Sequence, residues 1–163
     1  MRFSHKAFNP DHVVTGVSYA VIKVFEEVRG DYVEVIFPNK YLVDGREVGS
    51  LKLTIMGNEG EVTLKLRKDF IGETSAGFKE SLISLLEDVL KGLRSGVLSR
   101  YVLVVGKHLR NLGEEVRITL TDGGVIEGEV IGFGRTGELI VLTGKKLEKV
   151  PPSKVRDFTV TWP

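Results

Sequence analysis

Between residues 32 and 66 apolar and polar positions alternate with a period of two. Val33, Val35 and Phe37 alternate with Glu34 and Ile36, and Leu51, Leu53 and Ile55 alternate with Lys52 and Thr54. Val62, Leu64 and Leu66 continue the pattern after a turn at Gly57-Asn58-Glu59-Gly60. Such alternation puts one set of side chains on one face, so the stretch predicts a meander of half-buried strands. Pro38 ends the first strand, because it has no N–H for a ladder bond. Asp44-Gly45 is a tight-turn pair that folds Leu42 and Val43 back on Val48 and beyond.

Helical spacing flanks the meander. Val13, Val14, Val17, Ala20, Val21, Val24, Phe25 and Val28 predict a helix over about residues 11–28, entered at Asn9-Pro10-Asp11 and stopped near Gly30. Its β-branched content weakens local propensity, so packing on a sheet must hold it. Phe78, Leu82, Leu85, Leu86, Val89 and Leu93 predict a second helix from Thr74 or Ser75 to Leu93, with Gly96 just past its end. Residues 1–10 read as a short strand and a loop. Residues 97–111 read as a connecting segment, packed because Tyr101 to Val105 is too apolar for a free linker.

From Leu112 the texture changes to closely spaced glycines and short alternating runs. Strands are expected over residues 116–120, 125–133, 138–143, 147–150 and 155–160. Five short strands in about 50 residues predict a small barrel of the SH3 kind. The fold class is therefore α+β, with an α/β unit over residues 1–110 and a small β-barrel over 111–163.

Composition narrows the function classes. The chain has 163 residues, 42% of them hydrophobic and 28% charged, which suits a soluble globular protein. No apolar run approaches the ~18 residues of a membrane span. The N-terminus lacks the apolar core of a signal peptide, and with no cysteine the expected location is the cytoplasm. Residues 111–163 carry 7 basic and 8 acidic side chains, so that unit has no basic field for nucleic acid.

The stretch F-P-N-K-Y-L-V-D-G-R-E-V-G-S, followed by a strand pair, a long amphipathic helix and a β unit opening with L-G-x-x-V at Leu112, Gly113 and Val116, resembles the biotin protein ligases. Their signature runs roughly K-W-P-N-D-x-x-V-x-x-x-K-x-x-G. The resemblance implies a truncated ligase-like domain followed by an SH3-like C-terminal domain. The family joins biotin to ATP and passes biotin to a lysine on a carrier domain, with lysines stabilising the developing charge. Biotin and ATP thus enter only through the resemblance; no cofactor or metal is expected otherwise.

The residues that carry the family's chemistry are the ones that differ. The signature's first lysine falls on Ile36 and its aspartate on Lys40. The K-x-x-G lysine falls on Glu47, and its glycine on Ser50 with Gly49 beside it. Pro38 and Asn39 match, and Phe37 stands in for tryptophan. A carboxylate at the lysine position repels ATP phosphates by roughly 4 kcal/mol at ~4 Å and an effective dielectric near 20. A later G-x-G-x-N motif aligns with Lys65, Arg67 and Asp69, which removes its glycines. The family's G-R-G-R-x-G loop would lie upstream of Met1. The resemblance therefore implies no catalytic residue here, and a vestigial ligand site at Phe37, Pro38, Asn39, Gly49 and Ser50.

Other residues have plainer readings. Asn39 after Pro38 suits a turn, since Asx side chains bond nearby backbone. His5, His12 and His108 are scattered, without ligand spacing for a metal. Gly132-Phe-Gly-Arg-Thr-Gly137 reads as a turn between strands, and Lys145, Lys146 and Lys149 as a solvated edge. The expected function is a catalytically inactive interaction or regulatory module. The alternatives are a subunit of a split biotin/lipoate-type ligase completed by another chain, or, less favoured, an RNA-binding Sm-like barrel. Ile36 and Tyr41 are expected to lie uncovered, which predicts a homodimer or a partner chain; no membrane and no nucleic-acid partner is expected.

Overall fold

The computed structural model describes residues 2–7, 9–71 and 75–162. The meander forms as expected and is the centre of a six-stranded sheet. Strand β1 (Arg2–Ala7) leads into helix α1 (Pro10–Val24), then β2 (Glu34–Ile36), β3 (Lys40–Val43), β4 (Arg46–Met56) and β5 (Glu59–Leu66). A single turn, α2 (Lys68–Ile71), precedes the long helix α3 (Ser75–Arg94) and α4 (Leu98–Lys107). The second sheet holds β6 (Glu115–Thr119), β7 (Val125–Phe133), β8 (Leu139–Thr143) and β9 (Lys146–Val150), and β10 (Thr159–Trp162) closes the chain. The first sheet runs β1-β5-β4-β3-β2 antiparallel, with β10 added parallel to β4; the second runs β6-β7-β8-β9. The fold class is α+β, as expected.

One face of the first sheet is apolar because of the period-two pattern. Leu51, Leu53, Val62 and Leu64 are buried in one cluster with Val17, Val21 and Phe25 of the first helical segment and Phe78, Leu82 and Leu86 of α3. Gly16 lets α1 approach α3, since a Cβ there would lie 2.6 Å from Val89 Cγ1. Helix α3 ends as its sequence predicts. Gly96 takes φ 82°, and Val97 N–H donates to the Gly92 carbonyl at 2.9 Å, the six-to-one bond of a glycine C-cap.

Four elements differ from expectation. Helix α1 stops at Val24 and gives way to a π-turn over Phe25–Arg29, with Gly30 at φ 69° as its stop. The wider turn changes the phase of the stripe, so Phe25 is buried while Val28 is 41% exposed. The connecting segment contains a helix, α4, whose Tyr101, Val102 and Val105 are buried. Tyr41, expected without a cover, is fully buried, and its hydroxyl meets Ser18 Oγ of α1 at 2.8 Å. Burial pushes the Tyr41 phenol well above its ordinary value, and the Ser18 bond acts the other way.

The fourth difference is the last strand. It was expected over residues 155–160 as a fifth strand of the small barrel. Val155 makes only an isolated bridge to Leu120, after a 3₁₀ turn at Pro152–Lys154. The chain then leaves that sheet and pairs with β4, Thr159 beside Leu53. The physical cause is Phe158, which is buried in the large core while its carbonyl accepts from Leu53 N–H at 3.1 Å. The second sheet is therefore a four-stranded open sheet with a small core of Leu109, Val130, Leu139, Val141 and Val150.

The two sheets are fastened at several points. Asp11, in the first turn of α1, accepts from Ser153 N–H at 2.7 Å and from the Ser153 hydroxyl at 2.8 Å. Val35 bridges to Leu109, and Phe37 meets Phe133 edge to face with centroids 6.3 Å apart. Phe133 and Val155 touch both apolar clusters.

Candidate functional site

The face of the first sheet turned away from the helices is polar, and a groove of about 330 Å³ lies on it. The same alternation that buries Leu51 and Leu53 presents Ser50, Lys52 and Thr54 on this side of β4. Strand β5 contributes Glu61, Thr63 and Lys65, and β1 contributes Arg2. Thr63 meets Ser4 of β1 through their hydroxyls at 3.0 Å. Asp157 and Phe158 form one wall, where the chain returns toward β4. The lining carries three cations and two carboxylates, so it suits a small polar ligand with net negative charge.

The expected site residues divide around this groove. Ser50 lines it. Gly49 is buried next to it, and only glycine fits: a Cβ would lie 2.5 Å from Leu66 Cδ2 and 2.8 Å from the Lys65 carbonyl. Asn39 clamps β3 to β4. Its carbonyl accepts from Leu51 N–H at 2.8 Å, and its side-chain amide donates to the Leu51 carbonyl at 3.4 Å. Pro38 is buried and follows a cis peptide bond. Phe37 turns to the other sheet, where its N–H donates to Asn111 Oδ1 at 2.8 Å. Thus Asn39, Gly49 and Ser50 lie close together where β3 pairs with β4, and Phe37 does not join them.

Ile36 lies opposite Lys40, half-buried. Glu47 is exposed at the start of β4, opposite Leu42, beside a bulge. Of the later motif, Lys65 lines the groove, while Arg67 forms an exposed pair with Asp69 at 3.3 Å. Sequence reasoning did not assign Arg2, Lys52, Thr63 or Asp157 to a site. The polar phase of Lys52 along β4 and of Thr63 along β5 was visible; the neighbours of all four across strands were not.

The remaining candidates are scattered. His5 and His12 line a small apolar pocket with Leu90, Leu93 and Arg94. Burial, and secondarily Arg94, hold the His5 imidazole below its ordinary value. His108 Nδ1 lies 2.7 Å from the Val33 carbonyl, and its ring stacks on Tyr32. Among the described residues no group of three or more His, Asp or Glu is placed to hold a metal ion. The glycine-rich stretch 132–137 ends β7 and turns into β8, with Gly134 N–H donating to the Glu138 carbonyl at 2.7 Å. No helix among the described residues is long and apolar enough to cross a membrane.

Comparison with solved structures decides the fold. The biotin protein ligase from Aquifex aeolicus, in its apo form, superposes with a TM-score of 0.75 over 94% of this chain and 79% of its own, at 14% identity. The fold is that of the biotin protein ligases. A biotin protein ligase-like protein of unknown function from Silicibacter sp. matches at TM-score 0.73 and 11% identity, over 93% of this chain and 78% of its own. The biotin acetyl coenzyme A carboxylase synthetase from Helicobacter pylori gives 0.52 at 16%, over 91% and 73%. No protein-family model matches the chain, and no curated protein matches it in sequence. The ligase-like fold agrees with the resemblance carried by F-P-N-K-Y-L-V-D-G-R-E-V-G-S.

Proposed function

We propose that this chain is a ligase-like binding module that does not make biotinyl-adenylate by itself. The observation that carries the reading is Glu47. It is an exposed carboxylate on β4, at the position that matches the family's K-x-x-G lysine. A negative charge there opposes the phosphates that adenylation must bring in. Ile36, at the other lysine position, supplies no compensating charge. The second sheet, with its 3₁₀ turn and the bridge from Val155 back to Leu120, serves as an SH3-like domain in a regulatory or interaction role in the cytoplasm.

The test is pyrophosphate release from ATP in the presence of biotin. The purified chain is expected to give no turnover, and Glu47→Lys alone is expected not to restore it. Turnover by the unmodified chain refutes the reading. Turnover only after a second chain is added selects the split-ligase alternative.

We also propose that the chain forms a homodimer. Tyr41 no longer argues for it, but β1 is the terminal strand of the first sheet, and such an edge invites pairing. Light scattering at micromolar concentration is expected to give twice the chain mass; the mass of one chain contradicts it.

A further inference from the structure

We propose that the polar face of the first sheet binds a compact dianion, held by a rung of cations that crosses four strands. Strand register builds the rung. Arg2 of β1 lies opposite Lys65 of β5, Lys65 opposite Ser50 of β4, and Ser50 opposite Lys40 of β3. Residues directly opposite in antiparallel pairs project to the same face. Adjacent strands are ~4.8 Å apart, so Arg2 to Lys40 spans about 14 Å. Lys52, the next residue on that face of β4, lines the groove with Arg2 and Lys65.

Like charges directly opposite one another destabilise a sheet. Here Arg2 and Lys65 are such a pair. Among the described residues neither they nor Lys40 or Lys52 makes an ion pair. Two carboxylates share the groove. Glu61 lies opposite Lys6 in register, which offsets its charge, and Asp157 is one anion against Arg2, Lys52 and Lys65. The Ser50 hydroxyl sits in the middle of the rung as a further donor. A ligand with two negative charges relieves the repulsion and makes charge-assisted hydrogen bonds. The groove's volume suits a small molecule. A phosphate monoester and a dicarboxylate share this chemistry. The inference rests on the reading above of a ligase-like binding module and names the ligand class that the groove would take.

The experiment is calorimetric titration of the full chain at low ionic strength with inorganic phosphate and, separately, succinate. Saturable binding tighter than about 1 mM is expected for at least one probe. Phosphate alone points to a phosphate monoester, and succinate alone to a dicarboxylate. Lys65→Gln is expected to weaken binding tenfold or more, while Lys146→Gln, on the second sheet, leaves it unchanged. No saturation with either probe, or unchanged binding by Lys65→Gln, overturns the proposal. Without ligand, Lys65→Gln is expected to melt about 1–3 °C higher, because a repulsion is removed. A lower melting temperature overturns it as well. ATP turnover with phosphate binding intact would refute only the reading of the preceding subsection.

Discussion

Phe158→Ala is expected to lower the stability of the whole chain by about 3–5 kcal/mol, as large core truncations do. Phe158 is 2% exposed and packs in the cluster that joins the first sheet to its two long helices. The residue comes from the end of the chain, more than 100 positions from the strand whose N–H its carbonyl accepts. Removing the ring leaves a cavity in the large core and loosens β10 from β4. That is a large share of a total stability of roughly 5–15 kcal/mol. Urea unfolding followed by circular dichroism gives the number. A loss below about 1 kcal/mol would mean that the segment returning to the first sheet does not fill its core.

Gly128→Ala is expected to cost about 3 kcal/mol, at the upper end for overpacking. A Cβ at Gly128 would lie 2.1 Å from the Leu142 carbonyl oxygen and 2.8 Å from its carbon. Both are backbone atoms, so β7 and β8 must separate locally to admit a methyl group. Gly132, also in β7, is the control: a Cβ there meets nothing within 4 Å. Gly132→Ala is expected to stay within about 0.5 kcal/mol of the unmodified protein. Equal losses in the two variants would contradict the close β7–β8 contact.

The parts of the fold that sequence showed are those set by local periodicity. The alternation at Leu51, Leu53 and Ile55 fixed which face of β4 is buried, and the stripe from Phe78 to Leu93 marked α3 almost to the residue. Tyr101 to Val105 was seen to pack, but its β-branched run masks a helix that tertiary contacts hold. The π-turn at Phe25–Arg29 shifts the stripe by a fraction of a turn, which no apolar pattern announces. The site was legible only along each strand. Ser50 could be placed by the match to the family signature. Its neighbours Arg2, Lys65 and Lys40 depend on register between strands up to 63 positions apart. The clasp between Asp11 and Ser153 spans 142 positions and leaves no local trace.

A ligase fold that carries Glu47 and Ile36 where the family signature has lysines is expected not to form an adenylate. Isotope exchange between pyrophosphate and ATP in the presence of biotin tests it most directly, because exchange reports adenylate formation even when product stays bound. With Glu47 and Ile36 at the two lysine positions, the purified chain is expected to show no biotin-dependent exchange above the rate without protein. Biotin-dependent exchange by the unmodified chain would contradict the claim.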